Sequence, residues 1–225
     1  MPPSTTRPTR TEARQRLTRL RLREVAYELM STQGVDATTI QQITDAADIG
    51  FGTFYNYAPS KEALAEEVLD CIIHNLGERN DLVTRQLRET DPVRIVANSV
   101  RVVMREMIAN PVFRWSLDRL DVVVERMRVG FGPFGLRDID SAVAAGRYAL
   151  IAGEPTFAWS QLVWLMAAAG HDIVRGVHPP TYERSAAEAI LRIMGVDHAA
   201  AHEACARELP AAPDLPIDLA FGIAD

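Results

Sequence analysis

The chain has 225 residues, 48% of them hydrophobic, and a formal charge of −6. That is apolar material for one or two cored domains, and an acidic balance that excludes general attraction to nucleic acid through net charge alone. Two distant cysteines, Cys71 and Cys205, make no disulfide framework and fit a reducing cytoplasm. The apolar stretch 155–170 is too short to span a bilayer and reads as a buried helix, so no membrane partner is expected.

Charge is unevenly spread. Residues 1–23 carry seven arginines and one acid, a local +6 that leaves −12 on the rest. Residues 1–15 therefore read as a basic arm suited to lie near phosphates.

In chain order the periodicity predicts helices only, an all-α fold with no hairpin pattern. The first runs over about 10–33, with Leu22, Val25, Ala26 and Leu29 on one stripe and Gly34 as its stop. Thr39 and Gln42 form a capping box that opens a short second helix, ending near Ala47. Gly50 caps a third, over Phe51 to Tyr57, closed by Pro59 and Ser60. A fourth helix follows from 61 to about 88. Asp91-Pro92 opens another to about 109, Asn110-Pro111 breaks it, and the next runs to about 128. The stretch 129–135, VGFGPFG, reads as a loop. Helices over about 138–151, 156–175, 182–194 and 197–208 precede a proline-punctuated tail.

The three leading helices describe a helix-turn-helix, whose last helix enters the major groove of double-stranded DNA. The crowding of four aromatics into 51–57 then has a purpose: so short a helix must present all its contacts within two turns. Phe54 faces inward. Gly50 and Gly52 let the backbone approach phosphates. Tyr55 and Tyr57 reach out with their hydroxyls, and Thr39 and Lys61 each begin a helix where a phosphate can bind. Thr53 completes the segment, and Phe51 and Asn56 face base edges.

The stretch TTIQQITDAADIGFGTFYNYAPSKEAL resembles the DNA-binding domain of TetR-family transcriptional regulators. Thr39, Ile43, Ala47, Gly52, Thr53, Tyr55, Tyr57, Ser60, Lys61, Glu62 and Leu64 match the family pattern. The chain departs from it at Asp48, where Gly is frequent, at Gly50, where Ser is frequent, and at Ala58, where Phe is usual. Phe51 stands at an often polar position.

The resemblance implies a helix-turn-helix domain over 16–62, a helical ligand-binding and dimerisation domain over 63–208, and a tail over 209–225. It implies a homodimer on a near-palindromic operator, repression, and release by a small-molecule ligand, with no catalysis and no cofactor. Tyr182, Ala186, Ala189, Ile190 and Ile193 share a face of the penultimate helix that suits the dimer interface. Met104, Met107, Phe113, Trp115, Met127, Tyr148, Trp159, Trp164 and Met166 offer adaptable walls for a largely apolar ligand, with Gln161 and His171 to orient a polar group. A carboxylate or phosphate head would need Arg114, Arg119 or Arg147 to point inward.

Two alternatives stand beside this reading. His198, His202 and Cys205 lie at i, i+4 and i+7, a spacing that can hold a metal. A helical adaptor that binds protein is the other.

Overall fold

The computed structural model describes residues 9–151, 153–211 and 216–223, and all regular structure among them is helical. The chain forms two compact units, Met1–Cys71 with Asp218–Asp225, and Ile72–Ile217. The dividing point falls inside one long helix, some ten residues beyond the boundary expected from sequence.

In the first unit α1 (Arg10–Gln33), α2 (Ile40–Ala47) and α3 (Phe51–Phe54) precede the leading half of α4 (Lys61–Thr84). Each start has a local cause. Glu12 donates its backbone N–H to Thr9 Oγ1 at 3.3 Å, and the Thr9 N–H reaches the Glu12 carboxylate at 2.7 Å. The same reciprocal box joins Thr39 and Gln42 at 3.2 and 2.8 Å. Gly34 ends α1 at a φ of +87°, which favours glycine. Asp48 ends α2 in the left-handed region with φ 55°. That position explains the family's frequent glycine, and Asp is among the few other residues that tolerate it. Leu22, Val25, Met30, Ile43, Phe54 and Leu64 are buried together as the core of this unit.

Residues 10–15, expected in an arm, form the first turns of α1. The arm's Arg7 lies outside the described residues. The end of the chain returns to this unit: Arg23 donates to the carbonyls of Leu219 and Phe221.

The second unit is built around α5 (Pro92–Ala109), which packs against α6 (Pro111–Ser116), α8 (Gly132–Ala144), α9 (Pro155–Val174), α10 (Glu183–Ile193) and α11 (His198–Ala206). α7 (Leu120–Gly130) lies against α8 and α9. Short 3₁₀ turns occupy Arg85–Leu87 and Pro180–Tyr182. Asn110 caps α6 by accepting from the N–H groups of Val112 and Phe113.

The expected loop over 129–135 is instead a junction between two helices. Pro133 sits in the first turn of α8, where its missing N–H costs nothing. The glycines there serve packing. A Cβ on Gly130 would lie 2.4 Å from Ile73 Cγ2, and one on Gly135 would lie 2.3 Å from the Trp159 ring. The helix expected over 111–128 also divides, and residues between Ser116 and Leu120 form a turn.

Candidate nucleic-acid interface and cavity

α2, the turn after it and α3 make the candidate nucleic-acid surface. Thr39, Gly50, Phe51, Gly52, Tyr55 and Asn56 are exposed, and Thr53 and Tyr57 are half-buried. Phe54 is fully buried and Phe51 is 49% exposed. Phe54 therefore serves the core beside buried Ala58, while Phe51 remains on the outer face. Phe51 and Tyr55 meet edge to face with ring centres 5.8 Å apart, and Phe54 and Tyr55 do the same at 5.5 Å. These contacts hold the Tyr55 ring without covering it.

The third helix is shorter than expected, yet its backbone does not unwind at once. The N–H groups of Tyr57 and Ala58 both bond to the Phe54 carbonyl, at 2.9 and 3.1 Å. The expected two turns are thus one turn of α-helix continued by turns.

Neither glycine of this segment is demanded by the protein itself. A Cβ on Gly52 would meet nothing within 4 Å, and one on Gly50 would meet only Thr53 Oγ1 at 3.5 Å. Neither has a positive φ. The missing side chains leave the backbone at these places open to the surface.

The cations divide into two sets. Arg10 and Arg14 are exposed. Arg19 and Arg23 both bind Glu67, at 2.5 and 2.9 Å. Burial alone would raise the Glu67 carboxyl, but the hydrogen bonds and charges of the two arginines outweigh it and hold the group below 4.5. Arg21 donates to the Ala46 carbonyl at the end of α2. Arg19, Arg21 and Arg23 are thus engaged within the unit, which sequence charge alone did not show. Lys61 donates to the Asp36 carbonyl at 3.2 Å and lies 3.9 Å from Glu62, so only part of its donor capacity is open.

In the second unit a cavity of about 60 Å³ lies between α4, α5, α8 and α9. Val100, Val103, Phe131, Phe134, Ile139, Trp159, Leu162 and Met166 give it apolar walls. Asn80, Ser99 and Asp138 supply polar groups. Of the residues expected to line a cavity, it takes Trp159 and Met166. Met104, Met107, Phe113 and Met127 are fully buried elsewhere in the core. Tyr148 is buried and donates its hydroxyl to the Pro92 carbonyl at 3.2 Å. Trp115 stacks under the Arg119 guanidinium at 3.7 Å. Gln161 is exposed, His171 is half-buried beside Asp172, and Trp164 is 45% exposed. Arg114 and Arg147 are exposed as well, so neither points into the core. Sequence reasoning missed Asn80 and Ser99, because a single polar residue on a helix carries no periodic signature.

The face expected at the dimer interface also divides. Ala186 and Ile190 are buried within the protomer. Tyr182 and Ala189 are exposed and Ile193 is half-buried. Phe157, Gln161, Trp164 and Ala168 form an exposed stripe along α9.

His198, His202 and Cys205 do not converge. Cys205 is buried, while both histidines are exposed and His202 bonds Glu188 at 2.9 Å. Among the described residues no three His, Cys, Asp or Glu side chains come together as a metal site. Among the same residues no helix is long and apolar enough to cross a membrane.

Comparison with known proteins agrees with this architecture. Residues 22–68 match the family model described as bacterial regulatory proteins of the tetR family. Residues 91–207 match the tetracyclin repressor-like C-terminal domain. A 70-residue stretch is 34% identical to the HTH-type transcriptional repressor KstR2 of Rhodococcus jostii (strain RHA1). That stretch is 31% of this chain and spans only 34% of the relative. A structure of RolR in complex with resorcinol is 29% identical, with a TM-score of 0.81, over 89% of this chain and 100% of that one. RolR without ligand gives 28% identity and a TM-score of 0.77 over 86% and 99%.

Proposed function

Because the chain belongs to the TetR family of transcriptional regulators, we propose that it is a dimeric repressor released from a near-palindromic operator by a small, largely apolar aromatic ligand. The observation that carries the DNA reading is the outer surface of α2 and α3. It combines exposed Phe51, Tyr55 and Asn56 with two glycines for which the protein has no steric need. An element inserted into a groove must let phosphates come close, and a missing Cβ permits that.

The cavity supports the ligand. An apolar cavity of about 150 Å³ admits benzene, so a single ring would enter this smaller space by displacing wall side chains. Phe131, Phe134 and Trp159 line it with aromatic surface. The likeness to RolR, whose structure holds resorcinol, supports the same size class. The exposed stripe of α9, with Ala189, Ile193 and Tyr182 of α10, is the dimer surface in this reading. It moves the interface one face away from Ala186 and Ile190.

Selection of bound sequences from random duplex DNA tests the function directly. An inverted repeat should emerge, and a phenol series should then lower affinity for it. Enrichment of no sequence, or of a single undivided site bound by a monomer, would overturn the proposal.

A further inference from the structure

Phe51 is the first residue of α3, and at 49% exposure about half of it lies in water. Between residues 39 and 57 every other exposed side chain larger than that of alanine carries a hydrogen-bonding atom, and Phe51 carries none. Packing within the protein does not account for so open a ring. An i, i+4 pair such as Phe51 and Tyr55 adds little to the stability of a helix. Nor does Phe51 fill the core, because Phe54 and Ala58 hold that place at 0% and 2% exposure.

The ring is nonetheless presented in a definite way. It meets Tyr55 edge to face at 5.8 Å, and Tyr55 meets the buried Phe54 at 5.5 Å. Three rings thus run from the core to the surface, and a side chain already in contact has less freedom to lose on binding. Beside Phe51 in sequence nothing projects. Gly50 and Gly52 have no side chain, and a Cβ at Gly52 would meet nothing within 4 Å.

What such a ring can read follows from base chemistry. In the major groove the base edges offer donors and acceptors, and the one apolar feature is the C5 methyl of thymine. A phenyl ring set against a donor or acceptor displaces its water and returns no hydrogen bond, which is unfavourable. Against a methyl it buries apolar surface on both partners. The N-terminal residues of the helix in the groove are those that meet base edges, and Phe51 is the first of them.

We infer that Phe51 reads the C5 methyl of a pyrimidine, thymine in unmodified DNA, at one position of each half-site. The inference rests on the proposed reading of α2 and α3 as the DNA surface. It goes further by naming the chemical group that is recognised. It also implies that 5-methylcytosine can stand in for thymine at that position better than cytosine can.

The test is a binding titration, by fluorescence anisotropy, of the full chain on the inverted repeat recovered by selection. Each thymine is replaced in turn by uracil, which keeps the pairing and the O4 acceptor and loses only the methyl. At one thymine of a half-site the loss should be about fourfold, the value of one buried methyl group. In Phe51→Ala the same replacement should cost less than about 1.5-fold, since the partner of the methyl is gone. Phe51→Gln should behave alike, and it serves if the Ala variant misfolds. At that position cytosine should bind worse than uracil, and 5-methylcytosine should recover about fourfold over cytosine. No loss at any thymine, or a loss of equal size in either Phe51 variant that folds, would overturn the assignment and leave sequence-specific binding intact. Selection that enriches no sequence would instead remove the reading of the DNA surface, and the inference with it.

Discussion

Arg23 in the first helix donates a hydrogen bond to the carbonyl of Phe221, near the end of the chain, at 2.7 Å. Its guanidinium also reaches the Leu219 carbonyl at 3.3 Å and Glu67 at 2.9 Å, and the side chain is buried. A buried cation needs all of its partners. Arg23→Ala should therefore destabilise the DNA-binding unit by about 2–4 kcal/mol, and deletion of residues 216–225 should have an effect of the same sign. Urea unfolding measures both. A deletion that changes stability by less than about 0.5 kcal/mol would show that the last segment contributes nothing.

Glu67 makes the same network sensitive to acid. Its folded-state pKa lies below 4.5, because Arg19 and Arg23 overcome the effect of burial. A depressed carboxylate stabilises the fold above its unfolded pKa, and that stability is lost as pH falls through the folded value. Unfolding of the wild type should thus become easier below about pH 4.5, and Glu67→Gln should flatten this part of the pH profile. Equal slopes in the two proteins would refute the role.

On DNA, substitutions should separate by position. Tyr57→Ala should weaken binding to all sequences alike, as loss of a phosphate contact does. Phe51→Ala or Asn56→Ala should change base preference by about 1–3 kcal/mol at the affected pair. Replacing Arg10 and Arg14 together should reduce the slope of log affinity against log salt by about 1.8, since each phosphate neutralised contributes about 0.9. Parallel binding titrations on the selected site and on mismatched sites distinguish these outcomes.

Gly135→Ala tests the cavity wall. The added Cβ would lie 2.3 Å from the Trp159 ring, which is itself tied to the Arg128 carbonyl. The ring must shift, at a cost of about 1–3 kcal/mol in stability. Trp159 fluorescence should move and phenol binding should weaken together. Unaltered fluorescence and binding would show that the wall yields elsewhere.

The thiols should be silent in the folded protein. Burial pushes both Cys71 and Cys205 up to about 11, so little thiolate exists near neutral pH. Alkylation by a maleimide should proceed only as the protein unfolds. Stoichiometric labelling of the native protein within minutes would contradict this.

The sequence by itself determined that the chain is helical, where several of its helices begin, and the DNA-binding motif. These depend on neighbours three or four positions apart, as in the Thr39–Gln42 box and the Asp91 cap. Phe54 was legible as core because a short helix has one inner face. The tertiary structure decided what separation along the chain conceals. Arg19 and Arg23 read as part of a basic arm until α4 brought Glu67 to them, across 48 and 44 residues. Ala186 and Ile190 belong to an apolar stripe that fits a partner subunit as well as it fits a neighbouring helix, and only the packing showed that both are buried within the protomer. The glycines of 129–135 resembled a loop because their need is for contact with Ile73 and Trp159, not for a turn. Asn80 and Ser99 met across 19 residues, a separation that no local pattern along α4 or α5 records.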